Sequence, residues 1–467
     1  MRELFVALDR EQRTPLALQL EEQLREAIRS GRLATGQELP STRMLADELG
    51  ISRGVVVRAY SQLGSEGYLT VREGSMHRVS AVHTPQLASA HPCDPEGAYR
   101  LRYDLRPERP DVTKFPRGQW QRSLRQALLT ATDAEVGYSD EHGLWPLREE
   151  IARYLARARG LAVSADSVVI TAGSMHALTM IARVLHGREE RTIAFENPSH
   201  RILHSVARRN GLEPLGIPVD NDGLSVDELY LSGASAVVVS PAHQFPTGLA
   251  YGTARRTELL RWAEDSDGLI LEDDYDAEFR YDRAPIGALQ GLAPERVAYI
   301  GSTSKTLAPG LRLGWAVLPA DLLELVAHEV EATMLHLPAL EQLALADFVR
   351  RAEFDRHLRR MRGVYRRRRD LLIGGLQREL PQLAVSGIAA GLHVVLELPS
   401  ATEEEEARER VCRAGIAVQT VSEHALPGYQ GRRGLLIGYG AVHEQALERA
   451  AHELAAAVEG SRLREVA

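Results

Sequence analysis

Lysine is nearly absent from this chain. Of 56 basic side chains only Lys114 and Lys305 are lysines, and all the others are arginines. Arginine stays protonated in proteins and offers no free amine to a carbonyl. Covalent amine chemistry is therefore confined to two positions. Cysteine is as scarce: Cys93 and Cys412 cannot build a disulfide framework, so a reducing, cytoplasmic compartment is expected. No apolar run is long enough to cross a bilayer, and the N-terminus lacks the basic-then-apolar pattern of a signal peptide. No membrane partner and no metal site are expected. An excess of positive charge is missing too, the net charge being −8. Residues 1–80 hold 11 Arg against 11 Asp and Glu, so any nucleic-acid binding there must come from placement of charge. What is present is ordinary: 44% hydrophobic and 26% charged residues over 467 positions describe a globular chain with more than one core.

Near the N-terminus Leu16, Leu20, Leu24 and Ile28 recur every four residues, predicting an amphipathic helix closed by Ser30-Gly31. Leu39-Pro40-Ser41-Thr42 reads as a stop and a cap before a short helix with Leu45, Ala46 and Leu49 inward. Gly50-Ile51 turns, and Ser52 opens a third helix with Val55, Val56, Ala59, Tyr60 and Leu63 as its stripe. Two short helices across a glycine turn fit a helix-turn-helix, in which the second helix enters the major groove N-terminus first. A small helical docking domain fits the same periodicity. Tyr68 to Arg72 and Val79 predict a hairpin around Glu73-Gly74-Ser75.

Residues 81–112 carry Pro85, Pro92, Pro95, Pro107 and Pro110 and read as a linker, extended near Tyr103-Asp104-Leu105. Further on, Arg350 to Arg369 has helical spacing with Leu358, Met361 and Tyr365 inward, and its arginines are expected to be a solvated face.

From about residue 115 helical stretches alternate with short apolar runs: Val168-Val169-Ile170, Ile193-Ala194-Phe195, Ala236 to Val239, Leu269-Ile270-Leu271 and Val297 to Ile300. Such runs, buried on both faces, predict an α/β fold with a mostly parallel sheet, whose ligands bind beyond the carboxyl ends of the strands. The residues found there are informative. Gly301-Ser302-Thr303-Ser304-Lys305 sets a lone amine beside hydroxyls, which suits a phosphorylated aldehyde such as pyridoxal 5'-phosphate (PLP). Codon bias alone accounts for the arginine excess equally well. Thr171-Ala172-Gly173-Ser174-Met175 is a glycine turn into a helix, where unpaired N–H groups suit phosphate. Glu272-Asp273-Asp274-Tyr275 offers a carboxylate for a pyridine nitrogen and a phenol for a ring hydroxyl, although three adjacent acids also suit a solvated turn or a metal. Arg312 brings a planar fork for a phosphate.

Two literal strings go further. Gly36-x-x-Leu39-Pro40-Ser41-x-Arg43-x-Leu45-Ala46-x-x-Leu49-Gly50-Ile51-Ser52-Arg53 with Ala59-Tyr60-x-x-Leu63-x-x-Glu66-Gly67 resembles the winged helix of GntR-family repressors. Residues 115–460 resemble the fold-type I aminotransferase domain, and the pairing is that of the MocR subfamily of transcriptional regulators. The resemblance implies a winged helix-turn-helix over 1–80, a linker over 81–112, and a PLP-binding effector domain over 113–467 with a smaller C-terminal α+β part. It also implies that Arg43, Ser52 and Arg53 contact DNA. Met76, His77 and Arg78 replace the usual wing residues, leaving Arg78 or His77 to reach phosphate. In the effector domain it makes Lys305 the aldimine lysine, Asp273 the pyridinium partner and Tyr275 the O3′ ligand. Ser302, Ser174 and Arg312 become phosphate ligands, with Met175 where a polar residue is common. Tyr138 would reach the phosphate of a neighbouring subunit in a head-to-tail homodimer.

Two departures bear on chemistry. His200 stands where an aromatic stacks on the pyridine ring; it can stack or exchange protons, and filling the same space is the expected role. Leu436 stands where an arginine clamps the substrate α-carboxylate, with Arg109 or Arg201 as conceivable substitutes. Without the clamp, transamination should turn over poorly. The expected function is thus a PLP-dependent regulator that binds an operator in double-stranded DNA and senses an amine or PLP itself. An active aminotransferase carrying a DNA-binding head is the alternative, and a scaffold that has lost PLP a third reading.

Overall fold

The computed structural model describes residues 6–12, 14–71, 76–80, 101–138, 140–282, 286–334 and 337–460. The chain divides into two compact units, 1–97 and 98–467, each with its own core.

In the smaller unit α1 (Leu16–Arg29), α2 (Thr42–Leu49) and α3 (Arg53–Ser65) bury Leu20, Leu24, Leu45, Val56, Tyr60 and Leu63 together. Ser41 Oγ accepts from the Met44 N–H and starts α2; Gly50, at φ 62°, ends it in the left-handed conformation glycine takes without strain. Strands β1 (Leu69–Val71) and β2 (His77–Val79) pair antiparallel as the wing's base, with Leu69 and Val79 in the core. The predicted wing tip at 73–75 lies outside the described residues.

The larger unit is built on β3 (Tyr103–Asp104), β4 (Val168–Thr171), β5 (Thr192–Asn197), β6 (Glu213–Asp220), β7 (Gly223–Leu224), β8 (Ala236–Val239), β9 (Leu269–Asp273), β10 (Val297–Ser302) and β11 (Gly314–Val317). Eight of these form one sheet in the order β4-β11-β10-β9-β8-β5-β6-β7. Its centre, from β10 through β9, β8 and β5 to β6, is parallel throughout. Antiparallel pairing is confined to β11 and the β6–β7 hairpin. Both faces are covered, which is why the central strands read as continuous apolar runs: Leu271 and Val238 pack on one side, Ile270 and Val237 on the other.

A second, antiparallel sheet of Val385–Ser386, His393–Leu398, Arg433–Gly438 and Gln419–Thr420 carries the helices Ala401–Arg413 and Glu444–Glu459. This is the smaller C-terminal α+β part. The arginine-rich stretch lies in one 27-residue helix, Glu353–Glu379, with Leu358, Met361 and Tyr365 inward. One of its arginines is not solvated: Arg368 is buried and pairs with Asp111 at 2.7 Å. Part of the stretch read as a linker is likewise built into the larger unit, since β3 pairs in parallel with Ile416–Ala417.

Candidate functional site

β8, β9 and β10 run parallel, and β4 points the same way because antiparallel β11 separates it from β10. Their carboxyl ends therefore share one edge. There the chain leaves β4 through Gly173 into the helix Ser174–Gly187, leaves β9 at Asp273, and leaves β10 at Ser302 before reaching Lys305. Gly173 has φ 100°, and Gly314 on β11 backs it so closely that a Cβ there would lie 2.7 Å from the Gly173 Cα. These glycines let the turn bring the first N–H groups of the helix to the edge.

A cavity of about 240 Å³ opens at this place. Eight residues singled out in the sequence line it: Ser174, Met175, His200, Asp273, Tyr275, Ser302, Lys305 and Arg312. Tyr138 does not; it is 91% exposed at the surface. Neither substitute clamp lines the cavity: Arg109 pairs with Asp104 at 2.6 Å, and Arg201 is exposed. Leu436 is fully buried in an apolar cluster with Phe245, Tyr275, Val395 and Val421.

Two features of the site were not anticipated. Tyr275 and Asp276 both meet Nδ1 of buried His243, at 3.0 Å each, so the phenol is held from behind. More unexpectedly, Glu108 lines the cavity, with its carboxylate 2.8 Å from His200 Nε2 and 3.7 Å from Lys305 Nζ. Lys305 also donates to the Glu108 carbonyl oxygen at 2.8 Å. His200 is thus an ion-pair partner of Glu108; its Nδ1 accepts from the Ile202 N–H, and its ring lies 5.2 Å from that of Phe245.

Electrostatics follow from this packing. Burial would raise the Glu108 carboxyl, but Lys305 and His200 hold it well below the usual range. Burial opposes charge on His200, and Glu108 outweighs it, lifting the imidazole above its ordinary value. Asp273 is pushed up to about 7, first by burial and then by the charge of Glu108. Its Oδ1 is buried and, among the described residues, has no hydrogen-bond partner. An orphaned carboxylate facing a lone amine, across from hydroxyls, an arginine and a helix N-terminus, fits PLP: a cation for Asp273, an aldehyde for Lys305 and an anion for the rest.

In the smaller unit Arg43, Ser52 and Arg53 are exposed around the α2–α3 turn, and Arg53 Nε approaches Thr42 Oγ1 at 3.4 Å. Ser52 occupies the N-cap position of α3 but its side chain makes no capping bond. The wing residues behave differently. Arg78 is paired with Glu38, and His77 packs its ring 4.7 Å from that of Tyr60.

Residues 16–79 match the model of bacterial regulatory proteins of the gntR family, and 114–454 that of aminotransferase class I and II. The pyridoxine biosynthesis transcriptional regulator PdxR of Corynebacterium glutamicum is 31% identical over 98% of this chain and 99% of its own. The probable rhizopine catabolism regulatory protein MocR of Rhizobium meliloti is 31% identical over 97% and 96%. A kynurenine aminotransferase of Pyrococcus horikoshii superposes with a TM-score of 0.71 at 24% identity, over 78% of this chain and 91% of that one, which shows the fold. With both domain models matched and regulators of the same architecture aligned end to end, the chain belongs to the MocR subfamily of GntR-family transcriptional regulators, a helix-turn-helix protein with an aminotransferase-like domain.

Proposed function

We propose that the larger unit binds PLP through Lys305 and senses an amine, or PLP itself, and that its state governs operator binding by the winged helix. One observation carries this reading: eight side chains from separate loops converge on one cavity around the unpartnered Asp273 Oδ1. When bound, PLP supplies a carbonyl that takes an amine and an electron-withdrawing ring. The chain's residues do the rest. Asp273 holds a proton at the ring nitrogen, and Tyr275, braced by His243, meets the ring oxygen. Ser174, the Met175 N–H, Ser302 and Arg312 bind the phosphate, aided by the dipole of the helix Ser174–Gly187. Leu436 gives a substrate carboxylate nothing to pair with, so a ligand is bound without the alignment that turnover needs.

In the smaller unit Arg43, Ser52 and Arg53 face the operator, with Arg53 at the N-terminus of the helix that enters the major groove. Arg78 is committed to Glu38 and contributes less. The exposed large apolar side chains Leu128, Leu129, Val136, Tyr138 and Trp145 support a homodimer, which the family resemblance makes head-to-tail with Tyr138 reaching the phosphate of the partner. The test is an absorbance titration of purified protein with candidate amines, run beside the same titration of operator binding. Parallel changes in both support sensing. A catalytic cycle that consumes the amine without affecting DNA binding favours the aminotransferase alternative.

A further inference from the structure

Glu108 sits where its conformation is costly. Its φ is 60°, a left-handed backbone that a residue with a side chain seldom takes, and the surroundings enforce it from both sides. Before it, the Leu105 N–H donates to Ala417 O at 2.9 Å, and Leu105 O accepts from the Gly438 N–H at 2.7 Å. After it, the Asp111 N–H donates to the Tyr365 hydroxyl at 3.0 Å, and the Asp111 carboxylate holds Arg368. Gly440 lets the strap through: a Cβ there would come 2.3 Å from Arg109 O. The result of this bracing is one carboxylate and one carbonyl oxygen of Glu108 turned toward Lys305.

The Lys305 ammonium shows what that pair of oxygens holds. It lies 2.8 Å from the carbonyl and 3.7 Å from the carboxylate, an arrangement that takes a primary ammonium and rejects an anion. When Lys305 is engaged by a cofactor, the Glu108 carbonyl oxygen and the carboxylate oxygen facing Lys305 are left for another cation, while the second carboxylate oxygen keeps His200 Nε2 at 2.8 Å. Leu436, at the position where the resemblance leads one to expect a carboxylate-clamping arginine, is fully buried and supplies no cation for a ligand carboxylate. Of the cavity's other cations, Arg312 is assigned to phosphate in the proposed function and His200 is held by Glu108.

We propose that Glu108 sets the ligand class of this cavity, selecting a primary amine that bears a second cationic group and no carboxylate, as an aliphatic diamine does. This rests on the proposed PLP-dependent sensing and names its ligand. The test uses full-length protein loaded with PLP, checked by its absorbance, and titrated calorimetrically with 1,4-diaminobutane and with 4-aminobutanoate. The two probes share a four-carbon chain and one terminal amine and differ in the distal group, a donating ammonium in one and an accepting carboxylate in the other. The diamine is expected to bind about ten- to hundredfold more tightly, the range of one charge-assisted hydrogen bond. Glu108→Gln is expected to bring the two within about threefold. Glu108→Gly, which relieves the left-handed backbone, is expected to do the same and guards against a misfolded Gln variant. Equal or reversed affinities in the loaded wild-type chain overturn the inference alone, as does a preference that survives both substitutions. A chain that takes up no PLP overturns the sensing reading and this inference with it.

Discussion

Asp273 makes the cofactor site costly to keep empty, and the cost has a sign that can be measured. In the unfolded chain its carboxyl titrates near the ordinary 3.8, whereas burial and the Glu108 charge push it up to about 7 in the fold. The folded state therefore prefers the protonated form. Below the unfolded value both states hold the proton and nothing is lost. As pH rises toward 7 the unfolded state sheds its proton first and stability falls, until both states are ionised. Three units at 1.36 kcal/mol each give a ceiling of about 4 kcal/mol, and the stretch from about pH 5 to about pH 8 accounts for roughly 2–3 kcal/mol of it. Glu196, raised to about 8, and Glu272 and Glu278, each raised to about 7, add slopes of the same sign, so the comparison must be between wild type and Asp273→Asn. Urea unfolding followed by tryptophan fluorescence suits the purpose, because Trp120, Trp145, Trp262 and Trp315 all belong to the larger unit. The unliganded variant should lose less stability across that pH interval by roughly 2–3 kcal/mol. Loading wild type with PLP should remove the same slope, since a ring-nitrogen cation stabilises the carboxylate. Parallel pH profiles for the unliganded wild type and variant would refute the reasoning.

Borohydride reduction of loaded protein followed by peptide mapping should mark Lys305; label on Lys114, or on neither, excludes the assignment. Arg53→Ala should weaken operator binding by about 1–3 kcal/mol and relax sequence discrimination if Arg53 reads a base, and Arg43→Ala should weaken it as well. Unchanged gel shifts for both rule out this head as the reader. Stopped-flow spectra with α-amino acids and a keto-acid acceptor should show no multiple turnovers at ordinary enzyme rates, because Leu436 cannot orient a carboxylate. Gly314→Ala should cost about 1–3 kcal/mol in urea unfolding and weaken PLP binding, since its Cβ would meet Gly173 Cα at 2.7 Å and Gly301 O at 2.9 Å.

What was legible in the sequence is what periodicity and local strings carry. The short N-terminal helices followed from four-residue spacing and a glycine turn, the literal string made them a helix-turn-helix, and the central strands followed from apolar runs too short for helices. The loops after β4, β9 and β10 could be aligned on one edge because parallel strands put their carboxyl ends together. Less legible was what depends on side-chain direction. Glu108 was visible between Pro107 and Arg109, yet only its left-handed backbone and the braces at Leu105 and Asp111 turn it into the cavity. A glutamate in a proline-rich stretch gives no local sign of that. Arg109, the more conspicuous neighbour, is drawn instead to Asp104 five residues earlier. The burial of Arg368 was hidden for the same reason: in a run of arginines nothing local tells which one meets Asp111. The bond of His243 to Tyr275 joins residues 32 apart and needed the sheet to be seen.

The short strand β3 also fixes a length. Among the described residues, the anchors of the larger unit nearest the winged helix along the chain are Arg102, whose N–H donates to Gly415 O at 2.8 Å, and then Tyr103–Asp104 and Leu105. Each residue tied into β3 removes as much as about 3.5 Å from the contour available to reach DNA. Releasing the chain from Tyr103 to Leu105 would lengthen that contour by about 10 Å, roughly the advance of three base pairs along a duplex. Effective concentration at a second operator half-site depends on whether a tether matches the distance to be spanned, so in the homodimer proposed above the pairing of three residues at this strand edge would tune which half-site separations two heads occupy at once.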